Sequence, residues 1–118
     1  MSPIRMSKVE TAMRAAMALK DAFNQHDIPA MMQLMSEDCV IETTGPAPDG
    51  VIHSGKEAAT QYWQDFFGEE PDARLQAEDL IGFGKRCILL WKFSKIDKKG
   101  KDAHFRGASI FRVENDLI

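Results

Sequence analysis

Asp79 and His53 are the side chains of this sequence best placed to move a proton. Asp79 stands in the alternation Leu75, Ala77, Asp79, Ile81. A strand there sets the carboxyl on one face with three apolar neighbours. Such a wall disfavours the charged form and pushes a carboxyl pKa upward, into the range where it can serve as an acid–base catalyst. A strand end or a bulge would instead place Asp79 in water. His53 lies just before a helix start signal. There an imidazole can act as a general base or as a hydrogen-bond partner for a ligand, or sit on the surface beside a turn.

Other chemistries find little support. No G-x-S-x-G elbow is present. Cys39 and Cys87 lie in apolar strand contexts, where a thiol is inert packing, and they are expected to be free. Glu42 is expected on the strand face away from Thr43, as a solvated or interface residue. His26 falls in a turn and is expected to be solvated, and His104 on the outside of a sheet. The histidines have no metal-ligand spacing, so no metal and no cofactor are expected. The basic turn at Lys98, Lys99 and Lys101 reads as a solvated loop, and Gly82-x-Gly84 lacks the strand-to-helix setting of a phosphate loop.

The elements that must hold these groups follow from the pattern. Ser7 and Glu10 have the spacing of a capping box, and Val9, Ala12, Met13, Ala16, Met17, Leu19 and Phe23 recur at helical spacing, predicting a helix over 8–25. Asp27 is the expected N-cap of a short second helix, with Pro29 tolerated in its first turn. The β-branched run 39–44 reads as a strand, Gly45 to Gly50 as a loop, and 51–53 as a minimal strand. Ser54 and Glu57 form a second capping box, and Ala58, Ala59, Tyr62, Trp63, Phe66 and Phe67 define one face of a third helix that Gly68 ends. Three strands follow, over 74–83, 87–96 and 104–114, joined by turns short enough to make them antiparallel neighbours. On the second, Cys87, Leu89, Trp91 and Phe93 share a face. On the third, Phe105, Gly107, Ser109, Phe111 and Val113 do. Helices gathered on one side of an antiparallel sheet define an α+β fold.

Bulk properties limit the function. The chain has 118 residues, which fits a single domain over 1–118, with 44% hydrophobic and 28% charged residues. A net charge of −3 argues against a nucleic-acid partner, which usually needs a basic face. No apolar run approaches the roughly 20 residues of a membrane span. The opening MSPIRMSKVE has no apolar stretch of the signal-peptide kind, so a cytoplasmic location is expected.

The series ALKDAFNQHDIPAMMQLMSEDCVIE, then GVIHSGKEAATQYWQDFF, then FRGASIFRVENDLI resembles the nuclear transport factor 2-like superfamily, which includes the SnoaL-like and ketosteroid isomerase-like domains. The resemblance implies three N-terminal helices packed in a strongly curved antiparallel sheet, a cone-shaped α+β barrel with a pocket inside. It implies a small apolar or aromatic ligand and a homodimer formed through the outer sheet face. It also implies a further strand after Glu114-Asn115-Asp116, where this sequence has Leu117-Ile118, and hence either a longer chain or a more open pocket. Aligned on those motifs, the general base of a ketosteroid isomerase falls at Thr43, its tyrosine near Leu19 and its protonated aspartic acid near Ser109. None of those groups is present, so steroid isomerisation by that mechanism is not expected.

Three functions remain. The first is a small-molecule binder with an apolar conical pocket, lined by Thr43, His53, Trp63, Phe67, Trp91, Phe105 and Ser109. The second is an acid–base enzyme of isomerase, dehydratase or cyclase type that uses Asp79 or His53. The third is a protein-association module with a filled interior.

Overall fold

A computed structural model describes residues 8–118 of the chain, so the Ser7 capping box lies outside the described residues. The order is α1 (Lys8–Asn24), α2 (Ile28–Gln33), β1 (Val40–Thr43), β2 (Val51–Ser54), α3 (Gly55–Glu69), β3 (Arg74–Phe83), β4 (Arg86–Ile96) and β5 (Asp102–Arg112). The α+β class and the antiparallel pairing expected from the sequence are both present. The sheet is not closed. β1 and β2 form one ladder, and β3, β4 and β5 form another.

Small side chains let α1 lie close on the long strands. Ala12, Ala15 and Ala16 are buried against Cys87 and Val113. Further along the same helix face, Leu19, Ala22 and Phe23 join Met31, Ala73 and Phe93 in a second cluster. Asn24 then ties the helix end to β3. Its Nδ2 donates to Leu75 O at 2.8 Å, and its Oδ1 accepts from Leu75 N at 2.7 Å. Asp27 caps α2 as expected, accepting from Ala30 N at 3.1 Å. Ser54 occupies the N-cap position of α3, but its side chain makes no capping bond. The Gly55 amide donates instead to Cys39 O, at 2.7 Å.

β4 and β5 present the faces expected. Cys87 pairs with Phe111, Leu89 with Ser109, Trp91 with Gly107 and Phe93 with Phe105. Gly107 is required there, because a Cβ would lie 2.5 Å from Trp91 Cη2. The bare backbone lets the indole lie flat on β5 and donate from Nε1 to Ser109 Oγ at 2.9 Å.

β3 departs from the expected alternation. Ala77 pairs with Trp91 and Asp79 with Leu90, so Glu78 is an extra residue. The bulge reverses the phase of the strand. Leu75 and Ala77 face inward before it, and Leu80 and Gly82 after it, opposite Leu89 and Cys87. Asp79 and Ile81 therefore turn outward, not onto the face of Leu75 and Ala77. Glu78 is held on the outside by Arg106, whose Nε donates to Oε1 at 2.9 Å.

Candidate functional site

The helix face that closes the core continues past it. Phe66 packs against the cluster of Leu19, Phe23 and Phe93. Tyr62, Asp65, Phe66 and Glu69 stand at i, i+3, i+4 and i+7 of α3, and so share one face. That face forms one wall of an open cleft of about 550 Å³. The opposite wall is the β1–β2 hairpin, through Glu42, Thr43, Val51 and His53, and Ala108 of β5 borders the far side.

The hairpin fixes its own contribution. Thr43 pairs with Val51 and Ile41 with His53. These pairs share the face turned toward α3, while Glu42 and Ile52 share the other. The Thr43 hydroxyl donates to Gly45 O at 2.8 Å and accepts from Val51 N at 3.3 Å. It is thus bound to the hairpin backbone. Gly50 has a φ of 70°, and a Cβ there would lie 1.6 Å from Thr43 O, so only glycine closes this loop.

His53 lies against Tyr62, with ring centroids 4.8 Å apart. Burial pushes the Tyr62 phenol above its ordinary pKa of 10.0, because the anion loses hydration. Asp65 Oδ1 accepts from Gln61 Nε2 at 2.8 Å. The wall thus carries the carboxylates of Asp65 and Glu69, with Glu42 at its border, and no lysine or arginine. Among the described residues neither Asp65 nor Glu69 is in a salt bridge.

Of the residues expected to line a pocket, Thr43 and His53 border this cleft. Trp63, Phe67 and Trp91 pack against the Phe23 cluster. The space between the two tryptophans is occupied by rings: Trp63 meets Phe66 at 6.0 Å, Phe66 meets Phe93 at 6.0 Å, and Phe93 meets Trp91 at 6.4 Å. Trp63 Nε1 is buried and has no acceptor among the described residues. Phe105 packs beside Phe93 at 4.9 Å but is 51% exposed. Ser109 accepts from Trp91. Asp79 is exposed on the outer face, its Oδ1 accepting from Leu80 N at 2.8 Å, away from His53 and the cleft. His26 is not simply solvated. It stacks on Phe67 at 4.2 Å, and its Nε2 lies 2.8 Å from Ala73 O.

Tyr62, Asp65, Phe66 and Glu69 are the cleft residues that the sequence reading did not assemble. It followed the aromatic stripe and passed over the polar positions beside it. The signal was present as a helical i, i+3, i+4, i+7 set. Cys39 and Cys87 are buried free thiols, each with its pKa raised by burial. Among the described residues no three His, Cys, Asp or Glu side chains form a metal-binding group. No helix among them is long and apolar enough to cross a membrane.

The chain belongs to the SnoaL-like domain family, whose model matches residues 16–118. Solved structures agree on the fold. A nuclear transport factor 2-like protein of unknown function from Mesorhizobium loti is 29% identical, with 99% of this chain and 92% of that chain covered and a TM-score of 0.76. A Mycobacterium tuberculosis protein in complex with estradiol-17beta-hemisuccinate is 20% identical, with 91% and 87% covered and a TM-score of 0.75. An epoxide hydrolase from M. tuberculosis of the LEH-like kind is 15% identical, with 96% and 76% covered and a TM-score of 0.76. No curated protein matches the chain.

Tyr62 is the only tyrosine of the chain, so its titration can be read directly. Alkaline titration of phenolate absorbance should give a midpoint above 10.0 in the folded protein. Burial favours the neutral phenol. The associated stability is therefore full below the unfolded pKa of about 10 and lost as pH rises through the raised folded value. A midpoint at or below that of the urea-unfolded chain would contradict the buried placement.

Proposed function

We propose that this SnoaL-like domain binds a small molecule in the cleft between α3 and the β1–β2 hairpin. The observation that carries the reading is a single concave wall in which Tyr62, Phe66 and Val51 offer apolar surface beside His53 and the carboxylates of Asp65 and Glu69. Its volume falls within the range of about 300–1,000 Å³ usual for small-molecule sites. Aromatic rings give the ligand a surface to lie on. Uncompensated carboxylates select against an anion, so the ligand class is a neutral or cationic molecule with an aromatic or apolar body. Trp63, Phe67, Trp91, Phe105 and Ser109 then act from behind the wall, by fixing where Phe66 stands. The complex of a structural neighbour with a steroid derivative supports small-ligand binding as a use of this fold.

Acid–base catalysis is the second reading, favoured by His53. Its imidazole borders the space a ligand would occupy, and histidine is the side chain most often used for general acid–base transfer. Asp79 lies outside that space, so on this reading His53 carries the proton and Asp79 does not.

Both readings are tested by titrating the labelled protein with tryptamine, estradiol and indole-3-acetate under NMR. Tryptamine and estradiol should perturb His53, Tyr62 and Phe66, with indole-3-acetate at least tenfold weaker. Asp65→Asn with Glu69→Gln should remove that discrimination. Any turnover of a bound compound should fall by about 10²-fold or more in His53→Ala and be unchanged in Asp79→Asn. Equal affinity for the amine and the acid, or shifts confined to other surfaces, would sink the cleft assignment.

We further propose a homodimer formed through the outer face of β3–β5. Ile81, Leu90 and Ile110 stand on this face, exposed at 46%, 36% and 71%. Ile81 pairs with Ile88, and Ile88 with Ile110, which makes a continuous apolar row across three strands. Contiguous exposed apolar area of this kind marks an association surface. Sedimentation should give a dimer for the native chain and a folded monomer for Ile110→Glu. A monomer at all concentrations in the native chain would refute it.

A further inference from the structure

We infer that Asn24, His26 and Asp79 together plug the outer edge of β3, and that this plug keeps the edge from pairing with the β3 of a second copy of the chain.

β3 has β4 on one side and, among the described residues, no strand on the other. It borders the sheet on the side opposite β5. A strand in that place presents a row of unpaired N–H and C=O groups, which is a template for another strand. The register tells which residues form the row. Leu75, Ala77, Leu80 and Gly82 pair with Phe93, Trp91, Leu89 and Cys87, which are alternate residues of β4. In an antiparallel ladder alternate residues turn their backbone groups away from the neighbouring strand. Leu75 does so, since its N–H and C=O both bond to Asn24. Ala77 shares that phase, and the bulge at Glu78 brings Leu80 and Gly82 into it.

Side chains occupy this row where a strand would lie. The Asn24 amide gives Leu75 one donor and one acceptor, at 2.8 and 2.7 Å. A residue of an adjoining antiparallel strand would exchange the same pair of bonds. His26 extends the plug. Its Nε2 stands 2.8 Å from Ala73 O, and because a carbonyl only accepts, this nitrogen carries the proton. Beyond the bulge, Asp79 Oδ1 accepts from Leu80 N at 2.8 Å. Asp79 thus serves at the sheet border and not in an acid–base wall. Between Leu75 and Leu80, Ala77 is the outward-facing residue that no side-chain hydrogen bond meets among the described residues.

The turn after α1 brings these groups to the edge. Asp27 N donates to Ala22 O and His26 N to Phe23 O, the paired bonds of a left-handed helix end, with His26 at a φ of 54°. Glycine takes that conformation without strain, and histidine does not. What histidine adds is a ring that stacks on Phe67 and reaches Ala73. The occupant that the plug excludes is a second β3, because two copies of one edge are self-complementary about a two-fold axis. Such a contact is separate from the face-to-face dimer and from the cleft, so the inference stands whether or not either of those readings holds.

The test combines amide hydrogen exchange by NMR with sedimentation, on the full chain. In the native chain the amides of Leu75 and Leu80 should exchange at least tenfold more slowly than that of Ala77. In Asn24→Ala with Asp79→Ala, both should exchange at least tenfold faster than in the native chain at low micromolar concentration. As concentration rises, the mass of this variant should approach twice that of the native chain, and Ala77 should become protected. Asp79→Ala alone leaves α1 and its contacts intact. It should show the faster exchange at Leu80 and a weaker form of the same association, so the inference stays testable if the double variant does not fold. Three results overturn it: Leu75 and Leu80 exchanging as fast as Ala77 in the native chain, a folded variant that keeps the native mass at millimolar concentration, or association that leaves Ala77 unprotected. The last would place the new contact on another surface.

Discussion

The contact between Phe66 and Phe93 sets the rest of this structure in place. α3 meets the three long strands through rings, with Phe66 and Phe93 6.0 Å apart and Phe23 against Phe66 at 5.7 Å. Phe66 has two sides. One is buried in the cluster of Leu19, Phe23 and Met31, and the other borders the cleft. Because it is both core and wall, its position decides where packing stops and open space begins. Burying a ring of this size contributes about 1.5–3 kcal/mol, and aromatic pairs add about 0.5–1.5 kcal/mol. That is ample to hold one helix face at a fixed distance from the sheet.

Much of the architecture was legible in the sequence, because period and punctuation are local. The helical spacing from Ala12 to Phe23, the Asp27 cap with Pro29 behind it, and the shared faces of β4 and β5 depend on neighbours in the chain and could be read there. The bulge at Glu78 could not. Nothing in Ala77-Glu78-Asp79 forbids regular alternation. The extra residue is set by cross-strand pairing with Trp91 and Leu90, and it is stabilised on the outside by Arg106. One slipped residue moved Asp79 from the expected inner wall to solvent. His26 is a similar case, since its stacking on Phe67 and its bond to Ala73 join segments far apart in the sequence. Ser54 has the right spacing for a capping box, but it is the last residue of β2 and its side chain makes no capping bond.

The candidate site was only half legible. Thr43 was reached by alignment with the general base of a ketosteroid isomerase, and His53 by its place just before a helix start signal. The aromatic residues were assigned to a ligand wall on the resemblance, which implies a pocket inside the sheet. The structure uses them differently. Phe66 and Phe93 fill the space between Trp63 and Trp91, and the open surface lies on the far side of Phe66, where Tyr62, Asp65 and Glu69 follow at helical spacing. Rings stand between the two tryptophans, and a partly acidic cleft opens beyond Phe66.

Diffraction from a crystal pressurised with xenon tests the central claim most directly, since xenon occupies dry apolar voids. The account predicts no xenon between Trp63 and Trp91, because Phe66 and Phe93 already fill that space. Xenon bound there, in contact with both indoles, would show that the interior is a chamber and would contradict the division between core and cleft drawn at Phe66.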